Sequence, residues 1–199
     1  MFSDDAQHEF ASDANVAGVL NSWFTCIRRM PLASVKTCGE LCINFMKMIY
    51  DLSGRSNCID FIFDIYLEKS VKDSERVRRS ISNPIHVNEV GKEAKLPVSK
   101  DAFWASSENK SKLQEALHLQ ILGEQNEKTE LVVSAVGEFE NLKPCIANMN
   151  ACSKGVPRLN LEIEEADFLL IPHALNAVQH GAARTCILSD DTDVVVLGI

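Results

Sequence analysis

Apolar residues recur at three- and four-residue intervals through residues 13–30, with Val16, Val19, Leu20, Trp23, Phe24 and Ile27 on one stripe. A second stripe of Leu41, Phe45, Met48 and Ile49 runs through 35–51. That spacing matches the helical repeat and predicts two N-terminal helices parted by Pro31. Ser53-Gly54-Arg55-Ser56 reads as a turn, and CIDFIF at 58–63 is a strongly β-prone run. Residues 82–101 turn polar and aperiodic around Pro84 and Pro97, the pattern of a loop or arch. A packed segment starts at Asp101, and a capped helix follows from Ser107 until Gly123 ends it. Glu130–Ser134 is the next strand, 137–160 looks irregular, a helix is expected over 164–180, and RTCILS at 184–189 is a short buried strand. Residues 1–12 are expected to be disordered and 13–199 to form one domain. Alternation of strand and helix predicts an α/β fold with a mainly parallel sheet.

Composition narrows the classes. With 199 residues and 46% hydrophobic content, the chain can bury a real core. No apolar stretch approaches the roughly 20 residues of a membrane span, and the acidic, polar start MFSDDAQHEF is unlike a secretory signal. No membrane is expected. The seven cysteines form no CxxC pair and no zinc spacing, so they read as reduced, mostly buried thiols of an intracellular protein, nuclear or cytoplasmic. The net charge of −8 argues against a surface that holds nucleic acid by electrostatics alone. One local exception stands out: Lys69, Lys72, Arg76, Arg78 and Arg79 outnumber Asp73 and Glu75.

Candidate chemistry lies in the acids. Asp64 follows the 58–63 strand, Glu165 and Asp167 open the 164–180 helix, and Asp191 and Asp193 follow the 184–189 strand. In a right-handed β-α-β unit the crossover helix runs antiparallel to its strands, so its N-terminus and the C-terminal ends of the strands share one sheet edge. Open α/β sheets bind ligands at that edge. Carboxylates converging there repel one another unless neutralised, and a hard divalent cation with oxygen ligands is the ordinary answer. The plainer reading takes the EEAD acids as helix N-terminal charges and the SDDTD acids as a turn or cap. His173 and His180 read as packing or surface residues rather than ligands.

These motifs resemble those of the PIN-like nuclease superfamily, and within it the flap-endonuclease type. The family has a strand ending in VFD, a basic stretch with a Lys and an ERR element, an acidic pair at a helix start, and a strand running into D-x-D. Here FIFD ends at Asp64, Lys69 and Glu75-Arg76-Val77-Arg78-Arg79 follow, and then come Glu165-Ala166-Asp167 and Asp191-Thr192-Asp193. The layout is closer still to transposon-associated animal proteins with FDVY, ER..R, EEAD and DTDV. The chain departs in showing no evident N-terminal strand with a metal-binding Asp, in having Phe168-Leu169 after EEAD, and in stopping at Ile199, which implies a truncated domain or a decayed copy.

The resemblance implies a PIN-like three-layer α/β/α fold. It also implies a Mg²⁺- or Mn²⁺-dependent nuclease that hydrolyses DNA or RNA with two ions. Asp64, Glu165, Asp167, Asp191 and Asp193 would be the ligands, directly or through water, and Lys69 with Arg76 or Arg79 would contact the scissile phosphate. The alternative is a catalytically degenerate scaffold that binds nucleic acid or protein. Oligomeric state is left open.

Overall fold

The computed structural model describes residues 16–22 (backbone only), 26–27, 30, 34–54, 56–65, 91–96, 103–104, 106–136, 143–161, 163 and 165–189. In chain order these form β1 (Val16–Ser22), α1 (Cys38–Ser53), β2 (Cys58–Ile62), α2 (Ser107–Leu122), β3 (Glu130–Val133), β4 (Ile146–Met149), β5 (Cys152–Gly155), a 3-10 turn (Pro157–Leu159), α3 (Ala166–Gln179) and β6 (Arg184–Leu188). The strands make one sheet in the order β5-β4-β3-β2-β1-β6. β1 runs parallel to both β2 and β6, and β2 parallel to β3, while β3, β4 and β5 pair antiparallel. The fold is therefore α/β, with a parallel part extended by an antiparallel hairpin.

Two expectations are corrected. The stretch 13–30 does not open with a helix: Val16–Ser22 is a strand inside the sheet, leaving α1 as the N-terminal helix that was anticipated. A strand with parallel partners on both sides needs no alternation of apolar and polar residues, so its sequence can satisfy a helical template by chance. The second concerns 137–160, read as irregular, which contains the β4–β5 hairpin and the 3-10 turn. The terminus 1–12, most of 82–101 and the DTDVVVLGI tail lie outside the described residues.

Alternation along β2 and β3 divides the core. Ile59, Phe61, Leu131 and Val133 share a cluster with Leu41, Phe45 and Ile49 of α1 and with Leu113, Leu117 and Ile121 of α2. On the opposite face Ile62 packs under Ala166, Leu169 and Leu170 of α3. Val132 meets Cys145, Ala147 and Leu159 in a third cluster, roofed by the 3-10 turn. Among the described residues, no helix is long and apolar enough to cross a membrane. None of the seven cysteines is in a disulfide, and burial pushes the Cys42 and Cys145 thiols up to about 12, as expected of packing residues rather than reactive ones.

Helix α1 is set by its ends. Thr37 accepts from Glu40 N at 3.2 Å while the Glu40 carboxylate accepts from Thr37 N at 3.3 Å, a reciprocal capping box. Its next two free amides are met by a strap of backbone from 91–96: Cys38 N donates to the Ala94 carbonyl and Gly39 N to that of Lys92, both at 2.9 Å. The strap can come this close only because Gly39 has no side chain, since a Cβ there would lie 2.7 Å from the Lys92 oxygen.

The hairpin turn offers a test. Asn150 and Ala151 are both in the left-handed region, at φ 51° and 58°, the conformation of a two-residue type I′ turn that favours Asn-Gly. Alanine is strained there, so Ala151→Gly is expected to stabilise the protein by about 1 kcal/mol. The check is a rise in the urea midpoint at unchanged slope.

A second test concerns pH. His118 on α2 is buried, with Nδ1 lacking a hydrogen-bond partner. Burial first, and then the nearby Lys143, hold its pKa down to about 4, with Glu115 opposing. Below its ordinary value of 6.5 the unfolded chain takes up a proton that the folded chain refuses until about 4. The stability due to neutral His118 is thus present above 6.5 and lost as pH falls through that window. His118→Leu should remove this share of the pH dependence when unfolding free energies are compared between pH 7 and pH 4.

Candidate functional site

The exit of β2 is held on both sides. Phe63 N donates to the Ser134 hydroxyl at 2.9 Å, Ser134 N donates to the Phe61 carbonyl at 2.9 Å, and the Gln114 amide donates to the Asp64 carbonyl at 3.1 Å. With its backbone fixed from β3 and α2, half-buried Asp64 directs its carboxylate across to the start of α3. Asp64 Oδ1 accepts from Ala166 N at 3.2 Å. Ala166 is the first residue of α3, and Glu165, in the capping position, makes no side-chain capping bond of its own. Asp64 therefore caps a helix from 102 residues away in sequence.

This bond joins Asp64 to the helix start on which two other expected acids stand. Asp64 touches the N-terminus of α3, Glu165 precedes its first residue, and Asp167 lies in its first turn. The positive end of the helix dipole offsets part of their mutual repulsion. Strand β6 runs to the same edge: Asn21 of β1 pairs with Leu188 on one side and with Phe61 on the other. Asp191 and Asp193 follow β6 but lie outside the described residues, as do the cationic candidates Lys69, Arg76 and Arg79. Among the described residues, no group of three or more His, Cys, Asp or Glu side chains is arranged to hold a metal ion. The donors gathered here are carboxylate oxygens, which suit a hard divalent cation. The Ala166 amide on Oδ1 does not preclude one, because a carboxylate offers about four acceptor positions on its two oxygens.

One polar pair escaped the sequence reading. Asp60, in the middle of β2, and His173 of α3 meet beneath the helix with Nδ1 and Oδ2 2.7 Å apart, and their side chains are 1% and 0% exposed. Cys58 adds a thiol donor at 3.2 Å to the other carboxylate oxygen, while His173 Nε2 is buried without a hydrogen bond. The signal was present: an acid inside CIDFIF is a charge in a strand otherwise built for burial, and such groups stay only when paired. His173 is thus a core residue, as its sequence context suggested. His180 is exposed, its ring against the Arg158 guanidinium and the Asn176 carbonyl.

A cavity of about 690 Å³ opens at the other edge of the sheet, where β2 and β3 begin and α3 ends. Cys58, Glu130, Lys154, Arg158, Asn176 and His180 are among its lining residues. Burial, and then the Asp60 and Glu130 carboxylates, push the Cys58 thiol well above its usual range, so it is a hydrogen-bond donor rather than a nucleophile. The cavity contains none of the predicted acids. Comparison with protein-family models, with curated proteins and with solved structures gives no match.

The buried pair can be tested by a double-mutant cycle. Asp60→Leu or His173→Leu alone leaves a buried polar partner stranded and is expected to cost about 3–5 kcal/mol. The double variant should cost less than either single change, because both polar groups go together. Urea unfolding of the four proteins gives the coupling, and strictly additive costs would mean that the two residues contribute by packing alone.

Proposed function

We propose that the chain is a PIN-like, metal-dependent nuclease domain that hydrolyses phosphodiester bonds of DNA or RNA. One observation carries the reading: the Asp64 carboxylate at the end of β2 is bonded to the first amide of the helix that bears Glu165 and Asp167. The remaining candidates follow closely in sequence: Asp191 is three residues past the end of β6, and Lys69 five residues past Asp64. The alternating α and β layers and the shared edge for β1, β2 and β6 agree with the three-layer architecture of that superfamily.

In this reading Asp64, Glu165, Asp167, Asp191 and Asp193 hold Mg²⁺ or Mn²⁺ through carboxylate oxygens, directly or through water. When bound, such ions would supply an activated water and neutralise charge on the leaving oxygen. Lys69 with Arg76 or Arg79 binds the phosphate and offsets its negative charge, and no residue of the chain serves as a covalent nucleophile. The capping bond also favours a second reading. Asp64 already has a structural role at the start of α3, as it would in a degenerate scaffold that binds nucleic acid or protein without cleaving it.

Mn²⁺ separates the two. At about 100 times its dissociation constant, an ion that binds only the folded state adds about 2.7 kcal/mol, which raises the Tm of a chain this size by about 5–10 °C. Asp64→Asn, Glu165→Gln and Asp191→Asn should each weaken that response and abolish cleavage of branched, single-stranded or duplex substrates. A metal response without cleavage supports the scaffold, and a Tm indifferent to Mn²⁺ makes the acids ordinary cap and turn charges.

A further inference from the structure

Helix α3 is apolar on two sides. Ala166, Leu169, Leu170, His173 and Ala177 are buried toward the sheet. On the outward side Phe168, Leu175 and Val178 are 49%, 57% and 52% exposed, with Ile171 half-buried between them. Their spacing is three, four and three residues, the repeat by which one helix seats its side chains between those of another. A helix with apolar residues all round is ordinarily covered all round.

Charge indicates the cover. From Phe168 to Gln179 the helix has no Asp, Glu, Lys or Arg, and its one histidine, His173, is buried toward the sheet, although the chain as a whole has a net charge of −8. A partner chosen by opposite charge would find nothing to grip on this face. Two copies of so acidic a chain, by contrast, can come together only where like charges are not set against each other. A three-four-three stripe also meets the self-complementarity that a twofold axis demands: in an antiparallel pair Phe168 faces the other copy's Val178, and Ile171 its Leu175.

We propose that the outward face of α3 is a homodimer interface, with the two helices packed antiparallel about a twofold axis. The stripe from Phe168 to Val178 is about 15 Å long, and one helix face falls short of the ~800 Å² per partner of a standard interface, so association is weak. This inference is independent of the acids at the other end of the helix and of what they bind.

Sedimentation velocity on the whole chain, from micromolar to near-millimolar concentration, tests it. The wild type should pass from monomer to dimer. Leu175→Glu and Val178→Glu should each raise the dissociation constant at least tenfold while keeping the wild-type circular dichroism and Tm, since both positions are solvent-facing in the monomer. Ile43→Glu, at an equally exposed apolar site on α1, should leave dimerisation unchanged. A wild type that stays monomeric throughout, or a dimer that survives both glutamates, overturns the proposal.

Discussion

The contact between Asp60 and His173 governs how α3 lies on the sheet. Two nearly inaccessible side chains 2.7 Å apart permit little sliding and almost no rotation, because either would strand a polar group in an apolar layer. From this point β2 continues four residues to Asp64, and α3, running the other way, is followed back seven residues to Ala166. The second tie, from Asp64 to the Ala166 amide, then closes at the far end. Helix and strand are pinned at two levels. One rotation of α3 therefore decides three things: which residues enter the core, which backbone amide meets Asp64, and which apolar residues face outward.

The two edges of the sheet consequently differ in chemistry. At one, the Asp64 carboxylate meets a helix N-terminus, where the backbone dipole favours it. The other has the cavity, whose Arg158 and His180 already lie against each other and whose thiol is engaged by a carboxylate. Concave volume alone would direct attention to the second edge.

Much of this was legible in residue patterns. CIDFIF, Glu130–Ser134 and RTCILS became β2, β3 and β6, and α1, α2 and α3 arose within a few residues of their expected limits. The reach of Asp64 to the EEAD segment followed from strand–helix alternation and the handedness of the crossovers. What failed did so for definite reasons. β1 has Gly18 among Val16, Val19 and Leu20, and for so short a run a 3.6-residue template fits as well as a strand. The β4–β5 hairpin turns on Asn150-Ala151, without the glycine that would have signalled it. Asp60 was passed over because a β-prone run was read for its apolar residues, when its one charge was the informative member. Pro172, a residue that helix interiors disfavour, lies inside α3, which begins six residues before it and continues through it.

The place of β1 between β2 and β6 bears on how the chain acquires its structure. Its pairing with β2 spans about 40 residues, but Asn21 must wait for Leu188, 167 positions later, to fill its other side. At a synthesis rate of about 5–20 residues per second, that interval is roughly 8–33 seconds. Throughout it, β1, an interior strand of the finished sheet, is an open edge on a growing chain, with backbone donors and acceptors available to any extended neighbour. β6, the last strand among the described residues, is thus the one that converts this adhesive margin into a paired strand, which makes its arrival a matter of solubility as well as of shape.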